Sequence, residues 1–257
     1  MDLPVIGIVG GVGPYAGLEM NRKIFDNTLT NGTDRSHLEV ILYSSGGRVT
    51  DRTEYLLGHE GRNPAEGLFE AVQTLARAGA QVAAIACNTA HSSEIITPLK
   101  EKIRKLGLRI ELVDMIGEVG LFIKDNFGRG LNVGLLATEG TVAAGVYQCL
   151  EEERLGGTRL ILPDREIVQA VHRAIYDTEF GIKAFSNPVT ERAKEDCRRG
   201  LRHLKDKGAE LVILGCTEIP LALPEKEFEH LTLIDPAVVA ARALIRRVAP
   251  EKLKPMP

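Results

Sequence analysis

Residues 78–90, AGAQVAAIACNTA, and residues 207–219, KGAELVILGCTEI, align without a gap at an offset of 129 residues. Gly79 answers Gly208, Ala80 answers Ala209 and Cys87 answers Cys216, and each copy has an apolar run of strand length between the glycine and the cysteine. The flanks repeat in the same order. Ile6-Gly7-Ile8-Val9 corresponds to Val133-Gly134-Leu135-Leu136, and Glu111-Leu112-Val113-Asp114 corresponds to Thr232-Leu233-Ile234-Asp235. Three matches in one order indicate two similar lobes rather than the shared strand-loop-helix vocabulary of unrelated segments. Each lobe then presents one cysteine just past the carboxyl end of a central strand.

Working outward, apolar runs at 5–10, 39–44, 82–86, 110–113, 132–136, 158–162, 211–214 and 232–234 alternate with helix-period segments along the whole chain. Asn63-Pro64, Asn187-Pro188 and Asp235-Pro236 read as helix starts, with a capping residue ahead of a proline suited to the first turn. The strands are continuous apolar runs, which fits parallel sheets covered on both faces. The expected class is α/β: two pseudo-symmetric lobes with mainly parallel sheets and a site in the cleft between them. In such sheets ligands gather beyond the carboxyl ends of the strands, so the segments just after strands carry the functional reading.

The 257 residues are 44% hydrophobic and 26% charged, a globular composition. Lys and Arg total 32 against 35 Asp and Glu, so no broad attraction for nucleic acid or anionic membrane is expected. There is no apolar run of membrane-spanning length and no basic region ahead of the first one, so a cytoplasmic protein with a small-molecule ligand is expected. Four cysteines without a C-x-x-C pair fit neither a disulfide scaffold nor a zinc site, and the six histidines show no metal-ligand spacing.

Cys87 and Cys216 read as functional thiols. A lone cysteine at a strand end is usually a small buried apolar residue, but two at matched positions point to chemistry. Free backbone N–H groups and a helix dipole at each junction are expected to favour the thiolate. Asn88, Thr89 and Thr217 place amide and hydroxyl groups beside the sulfurs, suited to holding a carboxylate. Cys149 and Cys197 fall on apolar helical stripes and read as packing. His91 is a candidate proton partner for Cys87, or alternatively a capping or packing residue.

The loop Gly10-Gly11-Val12-Gly13-Pro14 matches a dinucleotide fingerprint only formally, since no acidic residue ends the next strand; it reads better as the wall of an anion-binding cleft. Arg52, in Asp51-Arg52-Thr53, follows the second strand, where its planar fork can clamp a carboxylate. Thr138 and Thr141 are placed either to cap a helix or to bind a carboxylate. Lys183 lies in an irregular segment between helices, its role open.

Together, Gly10 to Pro14, Asp51-Arg52-Thr53, Cys87-Asn88-Thr89-Ala90-His91 and Gly215-Cys216-Thr217-Glu218-Ile219 resemble the aspartate/glutamate racemase family, which is related to hydantoin racemases. The resemblance runs from about Val5 to the helix after Pro236. It implies two flavodoxin-like lobes, a homodimer, no cofactor and no metal. It also implies Cys87 and Cys216 as the acid/base pair on opposite faces of an amino acid's α-carbon, with Asn88, Thr89 and Thr217 at the α-carboxylate and Arg52 at a distal carboxylate. Gly11, Val12, Gly13, Thr53, Thr138, Thr141, Lys183 and Glu218 complete the expected substrate-binding set. Two departures from the family pattern stand out: Tyr43 to Arg48 replaces an Asn-x-Pro segment, and Val12 stands where methionine is common. The family fold groups residues 1–108 with 231–257 in the first lobe and leaves 109–230 as the second.

Racemisation takes a proton from one face of a carbon and returns one to the other, so two groups that serve as base and acid in turn suit it. The alternatives are a racemase of neutral or varied amino acids, a cysteine-dependent isomerase or decarboxylase of a small dicarboxylate, a redox switch through the two thiols, and a carboxylate-binding module without catalysis.

Overall fold

The computed structural model describes residues 4–256. Two sheets carry the repeat. In the first, β1 (Val5–Gly10), β2 (Val40–Ser44), β3 (Ala80–Ile85) and β4 (Glu111–Leu112) lie in the order β2-β1-β3-β4, all parallel. In the second, β5 (Asn132–Leu136), β6 (Arg159–Ile161), β7 (Leu211–Leu214), β8 (Glu227–Phe228) and β9 (Leu231–Ile234) lie in the order β6-β5-β7-β9-β8. Apart from β8, a short antiparallel edge strand that the sequence reading does not anticipate, the second sheet repeats the order of the first.

The repeat has a packing cause. Gly7 in β1 has no room for a side chain: a Cβ there would lie 3.1 Å from Ala80 and 3.2 Å from Leu75. Gly134 in β5 faces Ala209 and Leu204 at the same two distances. Each central strand is thus pressed by a helix that runs into the next strand: α3 (Ala65–Arg77) in the first lobe and α8 (Glu191–Asp206) in the second.

Strand alternation divides the core into three. Ile6, Ile8, Val82 and Ala84 of the first sheet and Val133, Leu135, Leu211 and Ile213 of the second belong to one shared core. That core also takes Met20 and Ile24 of α1 (Pro14–Asp26), Val119 and Ile123 of α5 (Met115–Phe127) and the apolar face of α10 (Pro236–Val248). The opposite face of the first sheet packs on α3 and α4 (Ser93–Lys105); that of the second packs on α7 (Arg165–Tyr176) and α8. Cys87 and Cys216 fall on the same parity in their strands and join these two outer cores.

This architecture changes the expected grouping of segments. β4 pairs with β3, so residues 111–112 belong to the first sheet rather than starting the second lobe at 109. β9 pairs with β7, so residues 231–234 belong to the second sheet, and the crossing back begins only with α10, which packs against α1 and α5. The match of β4 to β9 extends to their exits, where Asp114 accepts from Gly117 N–H at 3.2 Å and Asp235 from Ala237 N–H at 2.8 Å, each capping its helix. Asn63 holds Ala65 N–H at 2.8 Å at the start of α3. Asn187-Pro188 starts no helix: α8 begins at Glu191, capped by Thr190, whose hydroxyl has the same capping capacity three residues later.

Candidate active site

Both cysteines stand two residues beyond a strand, Cys87 after β3 and Cys216 after β7, and both are buried. Neither sits at the N-terminus of a long helix. After Cys87 comes a single 3-10 turn, Thr89–His91, before α4; after Cys216 comes α9 (Ile219–Ala222), four residues long. The dipole assistance expected at both sulfurs is therefore small. At Cys216 the net effect is the reverse: burial, with the adjacent Glu218 carboxylate, pushes its thiol well above the usual range.

The lobes meet over these loops through hydrogen bonds that no sequence spacing announces. Thr217 Oγ1 donates to Ala86 O at 3.0 Å, the Thr89 and Thr141 hydroxyls pair at 2.8 Å, and Tyr147 OH donates to Asn88 Oδ1 at 2.5 Å. Tyr176 OH, at the end of α7, reaches both oxygens of Asp51, at 3.2 and 3.1 Å. Asp51 in turn caps α2 (Arg52–Leu56) by accepting from the N–H groups of Thr53 and Glu54. Gly140, in α6 (Glu139–Ala143), lets that helix approach α2 closely, since a Cβ there would lie 2.8 Å from Thr53 Cα. Tyr147, Tyr176 and Asp51 are thus site residues that the expected set lacks; only Asp51 lay inside a recognised motif.

A cavity of about 390 Å³ opens beside this junction, lined by Gly11, Gly13, Tyr15, Asp51, Arg52, Lys183 and Glu218 among others. Arg52, although charged, is only 6% exposed. It donates to Val12 O at 3.0 Å and to Thr50 O at 3.3 Å, and its Nε has no partner. Burial disfavours its charge, but Cys87, Asp51 and Tyr176 beside it outweigh that and raise its pKa. Lys183 pairs with Glu218 Oε1 at 3.4 Å and lies over the Tyr176 ring at 4.7 Å. Burial again opposes the charge, and Glu218 and Tyr176 reverse the balance, so Lys183 keeps its proton more tightly than usual. Glu218 itself accepts from Cys216 Sγ at 3.0 Å. Burial would neutralise it, but Lys183, Cys216 and Arg52 hold it ionised, below the usual carboxylate range.

Of the expected residues, Gly11, Gly13, Arg52, Lys183 and Glu218 come together on the cavity wall. The thiols are not on that wall but adjoin it, Cys87 beside Arg52 and Cys216 bonded to Glu218. Val12 contributes its carbonyl, while its side chain joins the outer core of the first lobe. Thr138 accepts from Thr141 N–H at 3.4 Å and caps α6, the alternative to carboxylate binding. Thr89, Thr141 and Thr217 spend their hydroxyls on lobe-to-lobe bonds. His91 turns to the backbone, with Nδ1 against Cys87 O at 2.9 Å, and burial lowers its pKa, so it braces the loop rather than meeting the sulfur. Cys197 is fully buried in α8, while Cys149 lies in a 3-10 turn, half-buried against the shared core. Among the described residues no cluster of His, Cys, Asp and Glu could hold a metal, and no helix is long and apolar enough to cross a membrane.

Residues 9–244 match the model of the Asp/Glu/Hydantoin racemase family. The chain belongs to that family. An aspartate racemase of Picrophilus torridus superposes with a TM-score of 0.74 at 24% identity, covering 95% of this chain and 94% of that one. An aspartate racemase homologue from Pyrococcus horikoshii OT3 gives 0.68 at 27% identity, over 95% and 99% of the two chains. Among curated proteins, a glutamate racemase of Carboxydothermus hydrogenoformans is 28% identical over 183 residues, 68% of this chain and 59% of the relative's length. The two-lobed fold with mainly parallel sheets is that of these racemases.

Proposed function

We propose that this member of the family is a cofactor-independent racemase of aspartate or glutamate, working by a two-base mechanism through Cys87 and Cys216. The observation that carries the reading is a small cavity walled by two cations, the buried Arg52 and the half-buried Lys183, with two equivalent buried strand-end thiols beside its lining residues Arg52 and Glu218. Two cations on one cavity wall suit a ligand with more than one carboxylate. Buried donors without partners, Asn88 Nδ2, Arg52 Nε and Thr53 Oγ1, are available to accepting oxygens. In this reading the substrate's carboxylates engage these donors and cations, Arg52 and Glu218 give way, and the α-carbon comes to rest between the sulfurs. One thiolate removes the α-proton, the other thiol returns a proton to the opposite face, and fixed donors stabilise the carbanion's carboxylate. A family racemase with neutral substrates has less support, because it leaves Lys183 without a ligand role.

The test is incubation with single enantiomers of aspartate, glutamate and alanine in deuterated water, followed by chiral analysis. Deuterium at the α-position together with inversion for an acidic substrate is expected. Binding of aspartate and glutamate without exchange would instead mark a carboxylate-binding module. Arg52→Lys keeps the charge but loses the planar fork, and should depress turnover of acidic substrates by about tenfold or more.

A further inference from the structure

Cys87 and Cys216 occupy equivalent backbone positions and are almost equally exposed, at 6% and 7%. Their charged neighbours are opposite. Beside Cys87 stands the Arg52 guanidinium, and beside Cys216 stands the Glu218 carboxylate. The difference lies inside the repeat itself: two residues after each cysteine, the first lobe has Thr89 and the second has Glu218. Thr89 turns its hydroxyl to Thr141, across the lobes, whereas Glu218 turns back onto its own cysteine. Glu218 is 4% exposed, and its Oε1 makes no hydrogen bond, facing only the Lys183 ammonium. Room for that oxygen comes from Gly13, where a Cβ would lie 2.0 Å from it. A carboxylate so deeply placed, taking the Cys216 thiol at 3.0 Å and the Thr217 hydroxyl at 3.4 Å on one oxygen, is a built feature.

We propose that Glu218 is a positioning residue that keeps the proton on Cys216 in the free protein, so that the two equivalent thiols enter the reaction already differentiated, Cys216 as the acid and Cys87, beside Arg52, as the base. To ionise, Cys216 would place a second negative charge 3.0 Å from the first where both side chains are largely buried. The groups that face the pair are Lys183 and Arg52, which keep Glu218 charged; Lys183 also favours the Cys216 thiolate, an effect that burial and Glu218 together outweigh; Asp51 and Tyr176 surround the two cations from the first lobe and from α7. In turnover the Cys87 thiolate takes the α-proton and becomes a thiol, while the Cys216 thiol gives its proton to the carbanion and becomes a thiolate. Water then returns a proton to Cys216 and accepts one from Cys87, which balances the cycle. Glu218 drives that reset, because it opposes the thiolate left beside it. The catalytic consequence rests on the two-cysteine reading; the protonation difference does not.

The test is alkylation of the ligand-free protein by iodoacetamide across pH, with peptide mapping of each cysteine. Because exposure is matched, rates report thiolate content. In wild type, Cys87 is expected to react at least about tenfold faster than Cys216 near neutral pH. Glu218→Gln, of the same shape, should speed Cys216 by about tenfold and move its pH midpoint down by about one unit, with the alkylation rate of Cys87 unchanged. Glu218→Asp, which retains the charge, should restore part of the protection. Equal rates in wild type, a Cys216 midpoint that stays or rises in Glu218→Gln, or a parallel acceleration of both cysteines by general loosening would each overturn the proposal. Substrate takes no part in the assay, so absence of α-deuterium exchange sinks the racemase reading alone, and an unmoved Cys216 profile in an exchanging enzyme sinks only the role of Glu218.

Discussion

Gly13→Ala is the sharpest single perturbation of the cleft. Gly13 has φ 48° and ψ 135°, a conformation that side chains disfavour, and its missing Cβ is the space that Glu218 Oε1 occupies. The backbone alone costs an alanine about 1–3 kcal/mol. The added methyl, 2.0 Å from Oε1, must also drive the carboxylate away from Lys183 at 3.4 Å and from Cys216 at 3.0 Å, leaving buried polar groups poorly paired at about 1–3 kcal/mol more. Gly58→Ala supplies the control, since Gly58 has φ +80° and nothing within 4 Å of its would-be Cβ. Urea unfolding of both variants measures the difference. Gly13→Ala should lose at least about 1 kcal/mol more than Gly58→Ala, and racemase turnover should fall only in the former. Equal stability loss with unimpaired turnover would show that the seat of Glu218 is not set by the glycine loop, and the reasoning from Gly13 would fail.

Cys87→Ser and Cys216→Ser are each expected to abolish racemisation with unfolding midpoints near wild type, while Cys149→Ser and Cys197→Ser retain turnover; equal loss at all four in a racemase assay would mean that structural sensitivity had been taken for chemistry. Tyr147→Phe removes the donor to Asn88 Oδ1 in a fully buried setting and should cost about 1–3 kcal/mol in urea unfolding, with KM rising as Asn88 loosens. His91 is held neutral by burial, with a pKa below its unfolded value of about 6.5. Its share of stability is therefore full above about pH 6.5 and is lost as pH falls through the folded value, by at most about 1.4 kcal/mol per pH unit. Urea midpoints between pH 8 and 5 should decline less steeply in His91→Gln; His172, also lowered by burial, leaves a residual slope.

Much of the fold was legible because parallel strands buried on both faces write themselves as apolar runs, and because the packing of Gly7 on Ala80 and of Gly134 on Ala209 forces the same residues into both lobes. β8 was not legible, being two residues paired to its successor through a tight turn at Glu229 and His230, both with positive φ. The reach of each lobe was misjudged at β4 and β9, where strand pairing rather than chain order decides membership. In the site, the cysteines, Arg52 and Lys183 could be found from their places after strands or between helices. Tyr147 and Tyr176 could not, since their partners Asn88 and Asp51 lie 59 and 125 residues away and each tyrosine reads locally as one more apolar helix or turn residue.

The thiols themselves mark where local reasoning stops. A strand-end cysteine ahead of a helix invites the same inference twice, yet the short turns that follow leave little dipole, and the deciding charges arrive through space. Arg52 comes to Cys87 from α2, and Lys183 comes to Glu218 from the segment between α7 and α8. Duplication supplies two equivalent positions around a cleft, which suits a reaction symmetric about one carbon. It cannot by itself make one position an acid and the other a base. That distinction requires a residue at which the copies diverge in charge, and within the aligned 13-residue segments the divergence beside the sulfurs is Asn88 and Thr89 against Thr217 and Glu218, of which Glu218 alone carries charge. The asymmetry of the site is therefore written in the one position beside the sulfurs where the repeat departs from itself in charge, and glycine at position 13 of the opposite lobe makes the space in which that departure fits.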